Sequence, residues 1–142
     1  MGLKKQEFYE GAALHLIAKA GNLNSVRYEQ PFFLLNGKLA VLLKYSTGGR
    51  SPWGFTFSPD EQRELASRSG DISTSTAIAL ICGSDGVASF SYGDFLDVAP
   101  ITAASVHIAC YRSHGQYYEI CGPAGSMDRK IPPSNWQKIL DV

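Results

Sequence analysis

Phe32-Phe33-Leu34-Leu35-Asn36-Gly37-Lys38-Leu39-Ala40-Val41-Leu42-Leu43-Lys44-Tyr45 decides the fold. Two apolar runs flank Asn-Gly, the dipeptide that most readily takes the positive-φ conformations of a tight hairpin turn, so the stretch predicts paired antiparallel strands. From Leu39 to Leu43 every position is apolar, rather than every second one. A strand of that kind is covered on both faces, which puts Lys38–Tyr45 at the centre of a sheet.

Upstream, Leu3 to Ala20 has helical periodicity. Phe8, Ala12, Leu16 and Ala20 recur every four residues, Ala13, Leu14 and Ile17 widen the stripe, and Gly21-Asn22 supplies the stop. Ser25 to Glu29 alternates like a strand, and Pro31 interrupts it before the hairpin. Downstream, the polar loop Ser46-Thr47-Gly48-Gly49-Arg50-Ser51-Pro52 leads to the aromatic run Trp53-Gly54-Phe55-Thr56-Phe57. Ser58-Pro59-Asp60-Glu61 then combines an N-cap serine, a proline at the first helical position and a glutamate spaced to bond the cap's own N–H. That helix is expected to run to about Arg68 and stop at Gly70.

Thr74 to Gly83 is a second two-sided apolar strand, turned by Ser84-Asp85-Gly86 onto Val87 to Tyr92, with a helical turn over Gly93 to Val98. Ile101 to Arg112 and Gln116 to Gly122 predict a third hairpin around Ser113-His114-Gly115, and Gly122 to Ser126 a loop. Pro132 to Trp136 opens a short terminal helix with Ser134 as its cap and Trp136, Ile139 and Leu140 on its buried side. Helix, strands, helix, strands is the order of an α+β (mixed α/β) fold. The expectation is one globular domain over residues 1–142: a central mixed sheet, an N-terminal and an internal helix packed on it, and a C-terminal β-hairpin.

Composition narrows the function classes. A chain of 142 residues, 44% hydrophobic and 18% charged, belongs to a globular protein and not to a disordered one. Such a length buries about 68% of the unfolded chain's surface, enough for a core that needs neither disulfide nor structural metal. A net charge of zero argues against a polybasic nucleic-acid binder. Yet residues 1–50 carry seven Lys/Arg against three Asp/Glu, and residues 51–100 two against seven. Such opposed lobes are either ordinary solvated surface, a local basic groove, or a means of self-association.

Cys82, Cys110 and Cys121 form no CxxC pair and stand at no metal-ligand spacing from a histidine; the first two lie in apolar runs and are expected to be buried. The odd count and the absence of a recognisable signal peptide or long apolar run predict a cytoplasmic protein with no membrane partner. Met1-Gly2-Leu3-Lys4-Lys5-Gln6 departs from a myristoylation start at Gln6. His15, His107 and His114 compose no triad with a nucleophile.

Over residues 5–92 the chain resembles, in the order of its elements, the PD-(D/E)XK nuclease-like superfamily, especially the small Holliday junction resolvase type. In that family an N-terminal helix carries a glutamate, one strand an aspartate, and the next strand Glu-x-Lys. Glu10 matches the helix acid and Lys44 the lysine. Leu42 stands where the metal-binding glutamate belongs, and Gln30-Pro31-Phe32-Phe33 fills the region of the aspartate. The resemblance implies a restriction-endonuclease-like core and, were the site intact, Mg²⁺-dependent phosphodiester cleavage, for which carboxylate oxygens are the required ligands. Glu29 is a candidate migrated acid, so Glu10, Glu29 and Lys44 compose the reduced site of a residual metal-dependent nuclease. With its ligand positions apolar, the chain is expected to bind no metal and to be non-catalytic.

Lys44-Tyr45-Ser46-Thr47-Gly48-Gly49-Arg50-Ser51-Pro52-Trp53 gathers two cations, glycines, hydroxyls and aromatics at a strand end. Lys44, Ser46 and Arg50 are suited to hold an anion and Trp53 to stack on a base; the alternative is a connection anchored in the core by Trp53. The resulting expectation is a non-catalytic, nuclease-fold-like binding module without cofactor, whose partner is nucleic acid or protein. The alternatives are the residual nuclease, with Mg²⁺, and a self-associating accessory protein that forms a homo-oligomer.

Overall fold

A computed structural model describes residues 2–141. Helix α1 (Lys5–Lys19) precedes an antiparallel meander of β1 (Val26–Glu29), β2 (Phe32–Leu35) and β3 (Leu39–Ser46). Asn36 and Gly37 take φ of +55° and +65°, and the Lys38 N–H closes the turn on the Leu35 carbonyl at 3.0 Å. Only residues that tolerate the left-handed region fit there. Strand β4 (Trp53–Phe57) and helix α2 (Pro59–Ser69) follow, then β5 (Ser75–Cys82) parallel to β3, and β6 (Gly86–Ser91) antiparallel to β5. The resulting five-stranded mixed sheet has the order β1-β2-β3-β5-β6, with β3 in the centre as its two-sided apolar run requires.

The two faces of β3 meet different layers. Val41 and Leu43 pack with Ala13 and Ile17 of α1 and with Trp136, all at most 5% exposed. Ala40 and Leu42 face the other way, toward Leu65 of α2. Burying a side chain such as Ile17 or Leu65 contributes about 1.5–3 kcal/mol over leaving it in water. Helix α2 starts as its sequence dictates: the Ser58 hydroxyl accepts from the Glu61 N–H at 3.1 Å, and Glu61 Oε1 accepts from the Ser58 N–H at 2.9 Å.

Two expectations need correction. Helix α1 presents Tyr9, Ala13 and Ile17 to the sheet, whereas Phe8, at 62% exposed, and Ala12 face outward. Its apolar residues lie almost all round, so periodicity alone leaves the buried face undetermined. The expected C-terminal hairpin forms, and it belongs to a second sheet. After helix α3 (Tyr92–Val98), β7 (Val106–Tyr111) pairs with β8 (Glu119–Gly122), β8 with the short β9 (Gly125–Ser126), and β7 with β4, giving a second sheet β4-β7-β8-β9. The aromatic run is thus a strand: Trp53, Phe55 and Phe57 point inward and join Ile108, Phe95 and Leu80 in the core shared by both sheets. Finally, the terminal segment is a 3₁₀ turn, Pro133–Lys138, in which Ser134 caps nothing. Trp136 nonetheless anchors it, completely buried and donating from Nε1 to the Ala13 carbonyl at 2.8 Å.

Lys44 pairs with Glu61 and Glu29 with Arg68, joining the two charged stretches, while Asp85 pairs with Arg112 and Asp94 with Arg129 further along the chain. No helix among the described residues is long and apolar enough to cross a membrane. Cys82 and Cys110 are buried with their Sγ atoms 3.7 Å apart. Contact with the Cys110 thiol and then burial push the Cys82 thiol far above its usual range, which leaves it a poor nucleophile.

Candidate binding cleft

Strand β2 pairs with β3 only at Leu39, Ala40 and Val41, whereas β5 follows β3 all the way to Ser46. Beyond the Gln30-Pro31 turn, one side of β3 therefore lacks a strand neighbour. The opening is a cleft of about 440 Å³ between the N-terminal half of α1, the β1–β2 turn, residues 42–45 of β3 and the first turn of α2. Its ionisable lining is Lys4 and Glu10 on one side, Lys44 and Glu61 on the other, with Gln6, Gln30, Tyr28 and Tyr45 between.

Lys44 does not stand free in this cleft. Its Nζ lies 2.7 Å from Glu61 Oε2, with the two side chains 18% and 27% exposed, and 5.1 Å from the centre of the Phe57 ring. The same glutamate that caps α2 with one oxygen neutralises the lysine with the other. Glu10 accepts from Gln6 Nε2 at 2.9 Å. Partial burial raises its carboxyl above the ordinary 4.5, assisted by the neighbouring Glu7 and opposed by the Gln6 bond.

Glu29 takes no part. Its carboxylate is bound by Arg68 of α2 at 2.6 Å and does not line the cleft, so Glu10, Glu29 and Lys44 are not brought together as one reduced site. Leu42 is 3% exposed, and of residues 30–33 Phe32 is buried, Pro31 and Phe33 are half-buried and Gln30 is exposed. Apolar groups held away from water offer no oxygen to a divalent cation. Among the described residues no group of three or more His, Cys, Asp or Glu side chains is placed to hold a metal ion.

The strand-end loop also divides its candidates. Trp53 is 2% exposed, edge-on to Tyr118, and donates from Nε1 to the Gly48 carbonyl at 2.8 Å; its ring has no face open for stacking on a base. The Ser46 carbonyl accepts from the Gly83 N–H at 2.8 Å, and the Ser51 hydroxyl from the Arg112 N–H at 2.9 Å. Arg50 is exposed on the loop, whereas Lys44 turns toward α2. Arg112, whose N–H holds Ser51, is itself held by Asp85, whose Oδ2 accepts from Arg112 Nη1 at 2.8 Å and from Tyr118 Oη at 2.7 Å. Gly83, at φ +53°, permits the loop's close approach: a Cβ there would lie 2.2 Å from the Gly48 oxygen.

The sequence reading missed Glu61 as a cleft residue. Its signal was present in the capping box, but that motif fixes only the first oxygen; the reach of the second to Lys44 depends on α2 crossing beneath the end of β3. No protein-family model, no curated protein and no solved structure matches the chain.

Proposed function

We propose that the chain is a non-catalytic binding module built on a nuclease-like core, and that its cleft receives a polar segment of a protein partner. Support for the core comes from the order α1–β1–β2–β3–β4–α2–β5, in which β4 leaves for the second sheet, and from Lys44 standing at the open end of β3. The observation that carries the binding reading is the charge balance of the cleft: two lysines against two glutamates, with Lys44 already paired to Glu61. A phosphate backbone is held by uncompensated cations whose counterions are released on binding, and this lining supplies few. Glutamine amides, tyrosine hydroxyls and the Glu10 carboxylate instead offer donors and acceptors suited to a peptide main chain or polar side chains.

The test has two arms. The purified full chain is titrated with labelled single-stranded, duplex and branched DNA at low salt with Mg²⁺, and a photocrosslinking residue is placed at Gln6 in the cleft or, as control, at Arg63 on the exposed side of α2. The expected result is neither cleavage nor salt-dependent binding of DNA, with adducts to a protein other than this chain from position 6 alone. DNA binding whose salt slope falls by about two when Lys44 and Arg50 are both replaced by alanine would restore the nucleic-acid reading. Mg²⁺-dependent cleavage abolished by Glu10→Gln or Lys44→Ala would restore the nuclease.

A further inference from the structure

The central sheet has two edges, and only one is closed. At β6 the terminal 3₁₀ turn covers the strand, and Asn135 Nδ2 donates to the Ser89 carbonyl at 2.9 Å. At the other end, among the described residues, β1 has β2 as its single strand neighbour. Its side chains stand in solvent: Val26 is 44% and Tyr28 56% exposed, and the Arg27 side chain 75%.

The orientation of the β1 main chain follows from the register. Val26 lies opposite Leu35, and the Asn36 N–H bonds the Ser25 carbonyl at 2.9 Å, one step further along the same ladder. Main-chain groups of an antiparallel strand alternate between its two sides. Residues 25, 27 and 29 therefore turn theirs to β2, and Val26 and Tyr28 turn theirs outward, the arrangement that accepts another strand.

We propose that a second copy of this chain adds to β1 as an antiparallel strand, with the two-fold axis at Tyr28. In that register Tyr28 lies opposite Tyr28 of the second copy and Val26 opposite Gln30, so the outward N–H and C=O groups of both copies meet. Arg27 then lies opposite Glu29 of the second copy, and symmetry makes this pair twice. Val-Arg-Tyr-Glu is thus self-complementary about its tyrosine, the property that favours a second copy over an unrelated strand. Arg27 is loosely engaged in its own chain, 3.7 Å from Glu29, whereas Arg68 holds that carboxylate at 2.6 Å on the face where Arg27 of the second copy arrives. A net charge of zero adds no long-range repulsion between copies. Tyr28 and Gln30 also line the cleft, so the dimer seam runs beside both clefts. The proposal is independent of what the cleft binds.

Sedimentation of the full chain over a concentration series reaching about 100 µM, ample for a micromolar association, is expected to show the dimer mass. Tyr28→Pro removes an outward N–H and spares the ladder to β2; it is expected to give a monomer with an unchanged far-ultraviolet circular dichroism spectrum. Arg27→Glu places like charges opposite each other twice and is expected to weaken the dimer about tenfold or more, whereas Arg27→Lys retains it. Should Tyr28→Pro fail to fold, Arg27→Glu, a change at an exposed side chain, decides alone. A wild-type chain that stays monomeric throughout, or a dimer that Arg27→Glu leaves as tight as the wild type, overturns the proposal.

Discussion

Removing the charge of Glu61 separates the two tasks of one side chain. Glu61→Gln keeps an oxygen for the Ser58 N–H, now 2.9 Å from Oε1, but exchanges the anion facing Lys44 Nζ at 2.7 Å for a neutral amide. Both partners are mostly but not wholly shielded, at 18% and 27% exposure. Exposed ion pairs contribute about 0–1 kcal/mol, and breaking fully buried ones costs about 3–5 kcal/mol, so an intermediate coupling of about 1–2 kcal/mol is expected here. The assay is urea unfolding of wild type, Glu61→Gln, Lys44→Met and the double variant, in which methionine retains the lysine's apolar stem over Phe57. The coupling from that cycle corresponds to about 3–8 °C in the melting midpoint for a chain of this size. It should persist at high salt because the pair is partly shielded. Ser58→Ala, which removes the cap and leaves the pair, is expected to cost about 1 kcal/mol separately. A coupling indistinguishable from zero would show that Lys44 is free in the cleft, and would refute the charge balance on which the protein-partner reading rests.

Gly83→Ala should destabilise the chain by about 2–4 kcal/mol, through the left-handed backbone and the collision with the Gly48 carbonyl. Gly37→Ala, at φ +65° with open space around its Cβ, should cost only about 1 kcal/mol, so denaturant unfolding of the two isolates the collision. The raised pKa of Glu10 means that the folded state holds its proton more firmly than the unfolded one. Its contribution to stability therefore falls as pH rises from 4.5 through the folded value, and Glu10→Gln should flatten that part of the melting-midpoint profile.

How far the sequence carried can be judged at particular residues. Asn36-Gly37 determined a hairpin because both residues accept positive φ, and Ser58-Pro59-Asp60-Glu61 determined where α2 begins because each group satisfies a donor within the same turn. The unbroken apolar run Leu39 to Leu43 determined a central strand because nothing in it tolerates water. These are local rules, complete within a few residues. The face of α1 was not local: stripes through Phe8 and Ala12 or through Tyr9 and Ala13 are equally apolar, and the sheet selected the second. The candidate site was legible in Lys44 and Glu10, which do line one cleft, and illegible in Glu29 and Trp53, whose types fit the chemistry but whose side chains are engaged elsewhere.

By itself the sequence determined the α+β class, the hairpins, the capped helix and the apolar character of Leu42 and Phe32. Tertiary structure alone decided that Trp53 pairs across to Cys110 in a second sheet, that Glu61 reaches Lys44, and that β1 is left as an open edge. Partners so far apart in the chain are chosen by how complete layers pack, and only the assembled core determines which polar group is left beside which.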